Sequence, residues 1–229
     1  VVDNYEALSD RLVAGEMHMA ALSAAQYVKA TRRNQGIRLL ATPTTESGPT
    51  YGAYILARAN SGIQSLQDLV GKTFCYTSET SSSGYLYPRA IMRQAGINPD
   101  KDLTGSFRQD HIASLRALEK GACDGAAVYD KAWIEAADHG LNPAAFTVVK
   151  ATERVPWDAY CVTDRLDPAI ADKLEAALTE LTLDSELAKK VLVDGGSPFG
   201  GFLPGDDSLY DPVRSLEKYL NLEAKTDAQ

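Results

Sequence analysis

The chain of 229 residues is 45% hydrophobic and 24% charged, a balance that suits a folded globular protein with a sizeable core. Its 31 acidic against 23 basic residues leave a net charge of −8. That charge argues against a general nucleic-acid binder but leaves room for a small anion held by local donors. No uninterrupted apolar run approaches the roughly 18 residues of a membrane span, and the composition is neither fibrous nor disordered.

In chain order, Tyr5–Ala14 places Leu8 and Leu12 on one helical face, and Gly15 stops it. Met17–Leu22 reads as a strand, Ala24–Arg33 as a helix and Ile37–Ala41 as a strand. Tyr51–Arg58 is β-rich and ends at the Asn60-Ser61-Gly62 turn; Ser65–Leu69 is a capped helical turn closed by Gly71. Thr73–Thr77 is the next strand. A Thr-Ser-Ser-Ser-Gly turn follows, then a helix over Tyr85–Ala95 whose Pro88 belongs in the first turn, which puts the helix start close to Ser83.

Further on, Ser106–Phe107 reads as a strand end, Ile112–Lys120 as a helix and Asp124–Tyr129 as a buried strand. Ala132–His139 is helical, while Phe146–Lys150 and Trp157–Thr163 are strands. Pro168–Thr182 and Ser185–Val193 are helices, Gly195–Gly205 is a Gly/Pro-rich connection, Pro212–Tyr219 is the last helix, and the polar tail Glu223–Gln229 is expected to fray. This alternation predicts an α/β protein with a mostly parallel sheet. The β-rich segments around 51–58 and 157–163, with no long helix after them, suit a chain that crosses into a second lobe and returns, leaving a cleft between the lobes.

The strongest local chemistry is the serine turn. A strand followed by Ser81, Ser82, Ser83 and Gly84 presents the unpaired N–H groups of a helix start, its dipole and several hydroxyls. Such a pocket suits a phosphate, phosphonate, sulfate or carboxylate; plain N-capping by serine is the competing reading. The lysine of a P-loop and the glycine pattern of a dinucleotide fold are both missing, which argues against ATP and NAD. His111, ahead of a helix, can donate to an anion or serve as a surface or capping residue. Asp130 and Asp158 stand at strand ends, where ligand groups collect and where turn and cap residues also sit. Ser83, His111 and Asp130 can be written as a hydrolytic triad, although no GxSxG elbow surrounds the serine. Cys75, Cys123 and Cys161 stand far apart, so at least one thiol is free or pairs with another chain, and no disulfide framework follows. The His residues 18, 111 and 139 are equally scattered, and neither a metal nor a cofactor is expected.

Taken together, five segments resemble the phosphonate/phosphite-binding family of periplasmic solute receptors that serve ABC transporters. They are Tyr5–Tyr27 (YEALSDRLVAGEMHMAALSAAQY), Tyr51–Asp68 (YGAYILARANSGIQSLQD), Thr80–Pro88 (TSSSGYLYP), Asp110–Asp130 and Gly201–Arg214 (GFLPGDDSLYDPVR). Ser82 stands where the family usually has Thr, and His18 where it has an acid. The resemblance implies a two-lobed periplasmic-binding-protein fold: one lobe of about 1–50 with 160–229, the other of about 56–155, and a first lobe without its usual N-terminal strand and helix. It further implies that Ser81, Ser82, Ser83 and Gly84 cradle the phosphorus-bound oxygens, with Tyr51 and His111 donating to the same group. Asp130 and Asp158 would lie on the ligand's other side, facing a cation or an O–H.

The function so implied is a monomeric receptor without enzymatic activity, periplasmic or lipid-anchored. It would deliver a phosphorus oxyanion to a transporter permease. A ligand-sensing domain of a signalling protein and a serine hydrolase using Ser83 are the rival readings.

Overall fold

The computed structural model describes residues 5–221; the tail expected to fray, Glu223–Gln229, lies outside them. The elements in chain order are α1 (Tyr5–Ala14), β1 (Met19–Leu22), α2 (Ala24–Arg33), β2 (Arg38–Thr44), β3 (Thr50–Tyr51), β4 (Ala53–Arg58) and β5 (Thr73–Tyr76). They continue with α3 (Tyr87–Gln94), β6 (Thr104–Phe107), α4 (His111–Glu119), β7 (Gly125–Tyr129), α5 (Asp130–Ile134), β8 (Phe146–Ala151) and β9 (Val155–Pro156). Last come β10 (Ala159–Val162), α6 (Pro168–Thr179), α7 (Glu186–Ala188), β11 (Gly201–Pro204) and α8 (Asp211–Asn221).

Local chemistry sets many of these boundaries. Ser23 and Gln26 form a reciprocal capping box that starts α2, and Asp110 caps α4 by accepting from the Ala113 N–H. Gly15 takes a left-handed φ of +73° just past the end of α1, a conformation that costs glycine nothing. The single strand expected over 51–58 is broken at Gly52, whose N–H and C=O both turn to Asp130.

The described residues divide into two units, one of 5–51 with Pro156–Val213, the other of Gly52–Val155 with 214–221. In the first unit the sheet order is β1-β10-β2-β11, with every neighbouring pair antiparallel. Leu40, Ala41, Val162 and Phe202 of this sheet pack with Ala171 of α6.

In the second unit the order is β6-β5-β7-β4-β8; β5 runs parallel to β6 and β7, and β4 runs antiparallel to β7 and β8. Alternate side chains build a core on each face. Ile55, Phe74, Tyr76 and Ala127 pack with Met92 of α3, while Leu56, Cys75, Ala126 and Val128 pack with Leu115 and Leu118 of α4.

Three expectations change. The sheets are mixed or antiparallel and not mostly parallel, because β10, supplied from far along the chain, inserts antiparallel between β1 and β2. The Gly/Pro-rich connection contains β11, an edge strand, where Pro204 at its end is tolerated. The residues from Arg214 group with the second unit although the sequence places everything after 160 in the first. There Arg93 donates to the Tyr219 carbonyl, and Leu216 lines a cavity of about 280 Å³ with Tyr87 and Ile91.

Cys75 of β5 and Cys123 before β7 are joined in a disulfide buried in the second unit's core; Cys161 is a buried free thiol, its pKa pushed up to about 12 by burial. The bridge spans 48 residues of chain. A loop of that length, in the chain-entropy account, stabilises the fold by about 4 kcal/mol. Urea denaturation with and without reductant is expected to show a midpoint lowered to match. Coincident curves would mean that the bridge constrains nothing.

Candidate functional site

The expected site residues of the second unit follow the carboxyl ends of its mutually parallel strands. The serine turn follows β5, His111 follows β6 and Asp130 follows β7. In α/β sheets this is the edge where ligand groups collect.

The turn itself has an unusual start. Ser82–Leu86 forms a π-helical turn that runs directly into α3, and Tyr87 donates its N–H to the Ser82 carbonyl. Pro88 has no N–H to offer the Gly84 carbonyl four residues back. The Thr77 N–H at the end of β5 takes that carbonyl instead, at 3.3 Å. Thr77 also explains Gly84, since any Cβ there would collide with the threonine hydroxyl and methyl.

Ser81 caps the turn: its Oγ accepts from the Gly84 N–H at 2.9 Å, and its own N–H goes to the Ser78 carbonyl. The capping reading is therefore realised at Ser81, which nonetheless keeps its hydroxyl proton for donation. Ser82 and Ser83 are each only 3% exposed. Thr77, which sequence reasoning passed over, is buried as well, and its hydroxyl makes no hydrogen bond with the described residues. It is an isolated threonine directly after β5, and nothing in the sequence around it marks it out.

His111 is the first residue of α4. Its Nδ1 accepts the Tyr129 N–H at 3.4 Å, and its ring meets the Tyr129 ring edge-on at 4.7 Å. With Nδ1 acting as acceptor, the ring proton sits on Nε2, which is left as the donor. Burial pushes the imidazole pKa down to about 4 against the opposing pull of Asp110, so His111 is neutral at pH 7.

Asp130 is committed to the scaffold. Oδ2 accepts from the Gly52 N–H at 2.7 Å, Oδ1 accepts from the Lys131 N–H at 2.8 Å, and Arg154 stands 3.8 Å away. These contacts also disassemble the triad written from Ser83, His111 and Asp130. A relay needs a His Nδ1–H donating to the carboxylate, whereas Nδ1 here receives a backbone proton and Asp130 faces other donors.

Tyr51 and Asp158 belong to the first unit, Asp158 directly following Trp157 in the chain. Tyr51 packs against Trp157 with centroids 4.3 Å apart, and Phe199 meets the indole edge-on at 5.1 Å. The Trp157 backbone is pinned from both sides, its N–H donating to Pro49 and its carbonyl accepting from the Tyr210 hydroxyl. Its indole N–H is buried with no acceptor among the described residues. Trp157 thus combines an aromatic sandwich with a donor that has no acceptor among the described residues. Burial raises the pKa of Asp158, favouring its protonated form. Among the described residues no group of His, Cys, Asp and Glu is arranged to hold a metal ion.

Comparison with known proteins gives a consistent result. The family model for the periplasmic substrate-binding protein of phosphonate ABC transporters matches residues 1–210. A phosphate-import protein, PhnD, of Mycolicibacterium smegmatis is 26% identical, over 93% of this chain and 72% of that protein. Among solved structures, PhnD1 of Prochlorococcus marinus in complex with methylphosphonate superposes with a TM-score of 0.80 at 17% identity, over 96% of this chain and 84% of that one. The binding-protein component of an ABC phosphonate transporter from Pseudomonas aeruginosa gives a TM-score of 0.78 at 21% identity, over 99% of this chain and 76% of that one. At these identities the structural likeness establishes the fold, and the family model carries the membership.

Acid titration offers a check on His111. A histidine depressed in the fold takes its proton first in the unfolded chain, near pH 6.5, so stability is intact above that value and falls as pH drops towards 4. Asp158 acts in the opposite sense, because its raised pKa adds stability on protonation. Thermal melts of wild type and His111→Asn between these limits are expected to diverge, the variant losing less. Parallel curves would mean that His111 is not held neutral by burial.

Proposed function

The chain belongs to the family of periplasmic substrate-binding proteins of ABC phosphonate transporters, and on that premise we propose that its serine turn binds a phosphorus oxyanion directly. The carrying observation is that Ser82 and Ser83, nearly inaccessible, begin a helix at the carboxyl end of β5, with neutral His111 at the carboxyl end of β6. A buried anion is tolerated only where donors meet its oxygens. Here they are the hydroxyls of Ser81, Ser82 and Ser83, the first amides of the turn and the His111 Nε2–H. The helix dipole contributes positive potential at the same end. A neutral site of this kind holds the anion by directed hydrogen bonds.

In the first unit we assign Tyr51 as a donor to a ligand and Asp158 as the residue that tests what is attached to phosphorus. Its raised pKa suits a carboxyl that either donates an O–H or ionises opposite a ligand cation. Asp130, whose carboxylate is engaged by Gly52, Lys131 and Arg154, is assigned to support of the strand end.

The reading is of binding without bond breaking. The receptor acts as a monomer outside the cytoplasmic membrane and hands its ligand to the permease of an ABC importer. A buried disulfide agrees with an oxidising compartment.

Calorimetric titration with methylphosphonate, phosphite, phosphate and sulfate tests this. A saturable 1:1 signal without product is expected for at least one phosphorus oxyanion, and the double variant Ser82→Ala, Ser83→Ala should weaken it by about 1–3 kcal/mol. Unchanged affinity would remove the turn from the site. The Asp158→Asn variant should reorder the preference among phosphite, methylphosphonate and aminoethylphosphonate while leaving the melting temperature close to wild type. A ranking that stays the same would contradict the role given to Asp158.

A further inference from the structure

Thr77 carries a hydroxyl whose position no structural need accounts for. The residue is 3% exposed, and its Oγ1 is buried with no hydrogen-bond partner among the described residues. The acceptors beside it are already in use. The Gly84 carbonyl takes the Thr77 N–H, the Thr77 carbonyl takes the Gln109 N–H, and Ser81 Oγ takes the Gly84 N–H. An unmet buried hydroxyl is destabilising, and valine would fill the same space without that cost.

We propose that Thr77 is a ligand-contacting residue of the serine turn, its hydroxyl donating to an oxygen of the bound oxyanion and finding there the partner it does not have among the described residues. The inference rests on the reading of the turn as an oxyanion site. Three features place the hydroxyl for this task. Thr77 follows directly on β5, at the same strand end as the turn. Its side chain occupies the space that a Cβ at residue 84 would need, so it lies against the turn itself. Its backbone is tied to Gly84 on one side and to Gln109 on the other, and Gln109 holds a left-handed φ of +73°, a conformation uncommon for a side-chain-bearing residue. A donor fixed at both flanks loses little freedom when it meets its acceptor.

The test compares Thr77→Val and Thr77→Ser with wild type, by calorimetry with methylphosphonate, phosphite and phosphate and by thermal melts without ligand. The valine variant is expected to melt at or above the wild-type temperature and yet to bind roughly tenfold more weakly or worse, whereas the serine variant stays within about threefold of wild type. Wild-type affinity in the valine variant overturns the inference and leaves the proposed function standing. Should the valine variant fail to fold, Thr77→Ala removes the same hydroxyl and is judged by the same affinity criterion. A wild-type protein that binds none of methylphosphonate, phosphite and phosphate overturns the proposed function and this inference with it.

Discussion

Pro88 cannot donate to the Gly84 carbonyl, and Thr77 does so in its place. That exchange welds the end of strand β5 to the first turn of the helix that follows. It makes Gly84 obligatory, because Thr77 fills the space of any side chain there. It holds Ser82 and Ser83 in a π turn at the edge where the parallel strands end. A loop left to itself would have to order these groups at the moment of binding; here the polypeptide has ordered them in advance.

The rest of the second unit supports that edge. His111 is turned by the Tyr129 N–H so that its remaining proton is on Nε2, and burial keeps it uncharged. Asp130 bridges the start of α5 to Gly52, at the point where the chain enters this unit. A carboxylate whose oxygens face these donors is not placed to orient the His111 ring for hydrolysis. The Cys75–Cys123 bridge joins β5 to the segment before β7, two of the strands whose ends carry these groups.

Helices were legible in the sequence wherever a side chain closes their ends. Ser23 with Gln26, Asp110 and Asp167 each announce a start within a few residues of the observed one. The strand order was not legible, because the insertion of β10 between β1 and β2 depends on partners well over a hundred residues apart. Edge strand β11 was hidden by the same Gly and Pro residues that mark a loop. Of the site, the serine turn could be read because its donors are consecutive. Asp130 could be named but not assigned, since its partners Gly52 and Arg154 are distant in sequence. Thr77 drew no notice in the sequence, for an isolated threonine after a strand acquires meaning only when its buried hydroxyl is seen to have no partner among the described residues. Likewise, spacing alone did not pair Cys75 with Cys123.

The central claim is that an oxyanion is held by the turn after β5. The most direct measurement is an amide proton–nitrogen correlation spectrum recorded while methylphosphonate is titrated into the labelled protein. The account predicts that the Ser82 and Ser83 amide signals move downfield and saturate together, at the stoichiometry of one site. If the ligand binds while those signals stay in place and others move, the oxyanion is held elsewhere.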